Sequence, residues 1–369
     1  AALLFKFSKK LPEAKADATI ENESKATGMI SFITVVLIIV LSMIFYQNTG
    51  ENVDHHSKMG LYLTLIGMGT LVFGLLFSNA KAKKNAEGWG AFKYPQLILG
   101  MLAIFTYVGT EVTIQSNLGE YLKYMDFTQY LSLNPETTYA DFNQLLSDKK
   151  VDSYWAELTP MLISLYWGSL MIGRWAGAIA AFNLSSSTKK VALIIVPYIA
   201  FLVILSSNYI AGNSTENIIS LLPYAGVILV QIFGFWLGQD KPAKTLMIFG
   251  ILGMLAMFVG MFTTGSISVF AFVSGGLFAS VMWPVIFSLA LQGLGKFTSQ
   301  GSAFLIMMIL GGAFIPPLQG KLADMFNITV SYWVPLVGFG YLTLFAILVK
   351  GILKKQNIDV DTLAATSTH

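Results

Sequence analysis

"MISFITVVLIIVLSMIFYQ", residues 29–47, contains no charged side chain. A helix of that length rises about 28 Å at 1.5 Å per residue, enough to cross the hydrocarbon core of a bilayer. Its apolar residues run continuously instead of alternating, so the stretch reads as a membrane helix and not as a barrel strand. Comparable runs recur along the chain, and the composition agrees with them. Of 369 residues, 55% are hydrophobic and only 12% are charged, with a mean hydropathy of +0.66. A soluble domain carries roughly twice that share of charge. The reading is an all-α polytopic membrane protein with ten spans, at 29–47, 59–80, 94–117, 158–182, 191–207, 220–238, 245–264, 267–294, 302–318 and 332–350.

The connections alternate in charge. One set holds Lys6, Lys9, Lys10, Lys15 and Lys25, then Lys81, Lys83, Lys84 and Lys93, then Lys189, Lys190, Lys241, Lys244, Lys296, Lys354 and Lys355. The other holds fewer lysines, among them Lys58, Lys123 and Lys321, outnumbered by acids such as Glu120, Asp126, Asp141 and Glu157. The positive-inside rule makes the first set cytoplasmic and puts both ends of the chain on that side. Topology thus accounts for the net charge of +3 without a nucleic-acid partner. The absence of cysteine removes disulfides, thiolate metal sites and cysteine nucleophiles. The long external connection 118–157 carries Tyr, Phe and Leu at helical spacings, which predicts short amphipathic helices over the outer mouth.

Ionisable residues inside spans are costly and therefore mark function. In "FTYVGTEVTIQSNLGEY" (105–121), Tyr107, Glu111 and Gln115 recur at i, i+4 and i+8 and share one helix face. A phenol, a carboxylate and an amide in a stripe suit a hydrogen-bonding wall for a polyol or sugar. The competing reading is interhelical glue, for which a carboxylate is a poor choice. Glu111 is also the best acid this chain offers. The sole arginine, Arg174, lies in "WGSLMIGRWAGAIAAF" (167–182), where it reads either as a gate latch to a carboxylate or carbonyl, or as a side chain snorkelling to lipid phosphate. Gly173 and Gly177 flank it in the G-x-x-x-G spacing of close helix packing, which favours a protein-facing arginine.

"VSGGLFASVMWPVIFSLALQGLG" (273–295) joins small residues to Pro284, a pattern of interrupted helices along solute paths, so Pro284 is a gating candidate. Trp283 reads equally as a sugar-stacking ring or as a packing residue. With Trp167 it completes the candidate substrate-binding set of Tyr107, Glu111, Gln115, Trp167 and Trp283. Gly311–Gly312 and Pro316–Pro317 mark a second bent helix. His55 and His56 beside Asp54 give little support for a metal. With no nucleotide-binding loop, catalytic triad or HExxH, no enzyme, ATP-driven pump, metal or cofactor is expected.

Five blocks resemble the fucose permease and glucose/galactose permease family of the major facilitator superfamily. They are "YVGTEV" (107–112), "GRWAG" (173–177), "MWPVIFSLAL" (282–291), "GLGKFTSQGSAFL" (293–305) and "GGAFIPPLQGKLAD" (311–324), in the order of the family's helices seven, eight, ten and eleven. "LPE" (11–13) after Phe5 and Phe7 resembles the end of the family's sixth helix, which implies an N-terminal half upstream of Ala1. A chain confined to these residues is then expected not to transport alone. The resemblance divides the chain into 1–28 (helix end and central cytoplasmic loop), 29–93 (inserted hairpin and loop), 94–190 (helices seven and eight with the external loop 118–157), 191–244 (second inserted hairpin), 245–353 (helices nine to twelve) and 354–369 (cytoplasmic tail). The hairpins are expected to pack peripherally or to meet a protein partner.

What the resemblance implies is a secondary transporter in the bacterial inner membrane. It takes up a fucose-, glucose- or galactose-type sugar with a coupled cation, a proton before sodium, by alternating access. Ala279 stands where family members tend to carry Asn, which leaves open a permease for another small polar solute. A non-transporting scaffold or sensor is the alternative from another class, and it has no need of the buried Glu111 stripe.

Overall fold

The computed structural model describes residues 24–48 and 58–359, apart from Lys149, Asp152, Ala180, Ala181 and Asn183. The expected helix end at Phe5 and Phe7, the lysines of the opening segment before Lys25, the His55–His56 pair and the tail beyond Asp359 lie outside the described residues.

Helices α1 (Ser24–Asn48) and α2 (Met59–Lys84) pack side by side, and a 3-10 turn (Gly90–Lys93) leads into α3 (Pro95–Ser116). Pro95 opens α3 at a position where a missing N–H costs nothing. The connection 118–157 is occupied by α4 (Leu118–Leu131), α5 (Tyr139–Ser147) and the single turn α6 (Tyr154–Glu157). Then come α7 (Thr159–Ala178), α8 (Ser186–Ile210), the short α9 (Thr215–Ser220), α10 (Tyr224–Gly238) and α11 (Pro242–Phe262). The last part is α12 (Gly265–Ala279), α13 (Met282–Leu291), α14 (Thr298–Met307), α15 (Gly311–Met325), the turn α16 (Ile328–Ser331) and α17 (Trp333–Lys355). No strand occurs among the described residues.

Among the described residues, nine segments are long and apolar enough to cross a membrane, and each overlaps one of the expected spans. The tenth expected span, 158–182, is α7. It is 20 residues long, but Arg174, Ser164 and Ser169 lower its hydropathy below that of the others. Two segments that read as single spans are broken. α12 gives way to α13 at Ser280–Val281, and α14 passes into α15 through a 3-10 turn at Met308–Leu310. α15 also runs beyond the expected end at 318, so Lys321 and Asp324 form an i, i+3 pair on the helix itself.

α3 is the centre of the bundle and touches α12, α13, α15 and α17. It is 72% buried over its apolar window, and the α12–α13 segment 78%. α1, α2, α8 and α10 are each about a third buried or less, so they sit at the rim. α1 and α2 join the bundle through α15 and the 3-10 turn, while α8 lies on α7 and α10 on α11 and α12. Small residues allow the central approaches. A Cβ on Gly276 of α12 would stand 2.8 Å from the Tyr166 carbonyl oxygen of α7.

At the acidic end, Asp126 on α4 accepts from the N–H groups of Trp155 (3.0 Å) and Ala156 (2.8 Å), pinning α6 to α4. Thr138 caps α5 in a reciprocal capping box with Asp141. The Thr138 hydroxyl and N–H hold the exposed Asp141 carboxyl below its usual range. A depressed carboxyl contributes stability above its unfolded pKa and loses it as pH falls through the folded value. The protection of amides 142–146, taken relative to the intrinsic exchange rate at each pH, is therefore expected to fall on acidification below the ordinary Asp range near pH ~3.9. Thr138→Ala should flatten that dependence, and an unchanged acid profile in Thr138→Ala would place its origin elsewhere.

Candidate functional site

Glu111 and Asp126 are the two buried carboxylates among the described residues. Asp126 is occupied by α6, which leaves Glu111 as the one placed within the bundle. Its Oε1 accepts from an Arg174 guanidinium nitrogen at 3.1 Å. The two lie on α3 and α7, which run in opposite directions. Helical side chains lean toward the N-terminus of their own helix, so Arg174 leans toward the acidic end and Glu111 toward the lysine-rich end, and they meet. The burial is lopsided: the Glu111 side chain is 10% exposed and that of Arg174 55%.

The residues around the pair are aromatic and polar. The Tyr107 hydroxyl is buried beside Glu111 and Arg174 yet has no hydrogen-bond partner of good geometry. The Trp283 ring, half-buried at the start of α13, lies 6.1 Å from that of Tyr107 and stacks on Phe287. Tyr166 donates to the Glu111 backbone carbonyl at 2.6 Å, locking α7 to α3 next to the acid. Four of the seven candidates, Tyr107, Glu111, Arg174 and Trp283, thus form one group. Gln115 is half-buried one turn further along α3. Trp167 is largely exposed, its ring edge-on to the buried Tyr166. Pro284 is exposed on the first turn of α13.

Both glycines beside Arg174 pack as their spacing predicts. Gly173 faces Ser280 and Gln231, and a Cβ on Gly177 would meet Val281 at 2.8 Å. Arg174 itself reaches back to Glu111 in mid-bundle and does not turn toward the lysine-rich end of its helix.

Three polar residues escaped the sequence reading. Tyr166 has no marker in an aromatic-rich run. Gln319 of α15 accepts from Thr113 (2.6 Å) and donates to Ser331 (3.2 Å), stitching α15 to α3 and α16. Gln231 is fully buried on α10 and donates to the Leu277 carbonyl at 3.1 Å, while its own Oε1 has no partner. A lone amide in an otherwise apolar helix is a legible signal, because such a group must find a partner inside the membrane. No cluster of three metal-ligating side chains occurs among the described residues.

The protein is therefore a multi-pass membrane helix bundle with an acid–guanidinium pair at its core, open on the arginine side and flanked by aromatic rings. The chain is similar in sequence to glucose/galactose transporters and, over a shorter stretch, to L-fucose-proton symporters. It is similar to the glucose/galactose transporter of Brucella abortus (26% identity over 266 residues, 72% of this chain and 44% of the relative). A putative glucose/galactose transporter of Helicobacter pylori shares 28% identity over 306 residues, 79% of this chain and 54% of the relative. The L-fucose-proton symporter of Escherichia coli is 31% identical over 115 residues, 31% of this chain and 26% of the relative. These relatives are transporters and not enzymes, and the chain spans about half the length of the glucose/galactose transporters it matches. Among solved structures, a crystal structure of a variant E. coli fucose:proton symporter aligns with a TM-score of 0.31 and 14% identity, over 87% of this chain and 95% of that one. No family model matches the chain.

Proposed function

We propose that the chain belongs to a cation-coupled sugar permease of the inner membrane and supplies one wall of its solute path. The observation that carries this reading is the Glu111–Arg174 pair, half-open and bordered by the unpartnered Tyr107 hydroxyl and the Trp283 ring. A sugar offers hydroxyl groups to donate to the carboxylate and to accept from the guanidinium and the phenol, and a C–H face for the aromatic rings. Arg174 neutralises the acid in the solute-free state. A hydroxyl that displaces Arg174, or a proton that replaces it, alters the charge balance of the group, and this links solute to cation. The coupled cation is the proton, the bundle works by alternating access, and the lysine-rich end with both ends of the chain faces the cytoplasm. The hairpins α1–α2 and α8–α10 are additions to the six-helix set of α3, α7, α11, α12–α13, α14–α15 and α17.

The test uses vesicles holding the native polypeptide that contains this chain. Addition of fucose, glucose or galactose is expected to raise external pH as protons enter with the sugar. Glu111→Gln is expected to abolish that proton movement. If sugar exchange survives in the variant, the acid serves coupling; if exchange is lost too, it also holds the sugar. Accumulation driven by a sodium gradient alone would move the coupling to sodium, and no accumulation of any sugar would remove the transport reading. A response to another polar solute in place of all three sugars is the outcome that Ala279 favours.

A further inference from the structure

The break between α12 and α13 is the least regular point in the centre of the bundle. Pro284 has no N–H, so the Ser280 carbonyl four residues earlier loses its helical donor. Ser280 turns its hydroxyl back to the Leu277 carbonyl at 2.7 Å, and the same carbonyl accepts from Gln231 Nε2 at 3.1 Å. Gln231 comes from α10, in the rim hairpin α8–α10. Gly173 closes the junction from the α7 side, since a Cβ there would run into both Ser280 and Gln231. Next to Gly173 stands Arg174, and three residues beyond Ser280 stands Trp283 against Tyr107.

The Gln231 side chain has no exposed surface, and its carbonyl oxygen is left without a donor. An unsatisfied buried acceptor costs about 1–3 kcal/mol. A Leu at this place would fill similar space without that cost. The amide thus holds the last turn of α12 and the break residue, through the Leu277 carbonyl at 3.1 Å and the Ser280 hydroxyl at 3.5 Å, and keeps one acceptor open. The junction joins the half-helix that carries Trp283 to the helix that carries Arg174.

We propose that Gln231 is a positioning residue for the α12–α13 break: it holds the end of α12 and Ser280, fixes the angle at which α13 leaves them, and so sets how Trp283 meets the Tyr107–Glu111–Arg174 group. The rim hairpin is thereby part of the working mechanism. The functional half of this statement rests on the transport reading above; the conformational half does not.

These residues contain no cysteine, so in a native polypeptide with any cysteine outside them replaced, a spin-label pair introduced by Ser288→Cys on the exposed face of α13 and Ala178→Cys at the exposed end of α7 reports their separation uniquely. In the native polypeptide, Gln231→Leu is expected to shift or split the distance distribution of that pair. Net sugar uptake is expected to fall about tenfold, within the range of an allosteric coupling, while equilibrium sugar affinity stays within about twofold. Ser280→Ala removes the hydroxyl on the other side of the junction and should move the distribution as well, and it stands in if Gln231→Leu fails to fold. An unchanged distribution in both variants overturns the proposal, whatever sugar does. A shifted distribution in a protein that moves no sugar keeps Gln231 as the α13 positioner and removes the transport reading alone. Uptake and affinity lost together with an unchanged distribution would mark a merely structural amide and also overturn it.

Discussion

Replacing Arg174 with Leu is expected to destabilise the protein far more than replacing Glu111 with Gln, although the two changes break the same ion pair. Arg174→Leu leaves a carboxylate that is only 10% exposed, with no cation in contact. Breaking a buried pair in this way costs about 3–5 kcal/mol, chiefly through the charge left behind. Glu111→Gln leaves a guanidinium whose side chain is 55% exposed and can find water, lipid phosphate or a carbonyl. The expected penalty there is about 1 kcal/mol, near that of one hydrogen bond. The double variant Glu111→Gln/Arg174→Leu should regain most of the loss of Arg174→Leu, a coupling that thermal unfolding in detergent measures through a double-mutant cycle. Equal losses in the two single variants would show that the acid is not the buried partner.

The second large effect concerns Gly311. A Cβ there would collide with the Phe105 carbonyl group of α3. The obstacle is backbone, so no rotamer change relieves it, and α15 must move away from the helix at the centre of the bundle. Overpacking of this kind costs about 1–3 kcal/mol and at times more, and here it also strains the Thr113–Gln319 hydrogen bond further along the same interface. Gly311→Ala is expected to lower the unfolding temperature and the yield of monodisperse protein sharply. Its neighbour is the control. A Cβ on Gly312 would meet Val108 and Val112 methyl groups at 3.2 and 3.5 Å, contacts that small side-chain shifts absorb, so Gly312→Ala should be nearly silent. Similar losses in both variants would place the tolerance of this interface elsewhere than in the Phe105 backbone.

Much of the site was legible before any folding was considered, but only as separate residues. Glu111 and Arg174 stand out because charge inside an apolar run is expensive, and Gly173, Gly177 and Pro284 stand out by their spacing and backbone chemistry. Their meeting was not legible. Glu111 sits toward the end of α3 and Arg174 toward the end of α7, and they touch because antiparallel helices direct their side chains toward each other. Gln231 and Gln319 leave little trace in hydropathy, because a single neutral amide adds little to any window, yet each is wholly buried and bonded across helices. Residue type pairs Trp167 with Trp283, and the structure sets them apart: Trp283 packs on Tyr107, while Trp167 is exposed and edge-on to Tyr166.

Membrane class, the approximate limits of the spans, and the places where helices weaken were determined by the sequence alone. These follow from properties that add up along the chain: the transfer cost of each side chain, the missing N–H of proline, the missing Cβ of glycine. Which polar groups meet, which aromatic ring faces the site, and which rim helix reaches the break in α12–α13 were decided only by the tertiary structure. Those outcomes depend on the rotation and register of one helix against another. Contacts such as Gly276 on Tyr166, Gly311 on Phe105 and Gly173 on Ser280 set that register, and each joins residues that are remote in the chain.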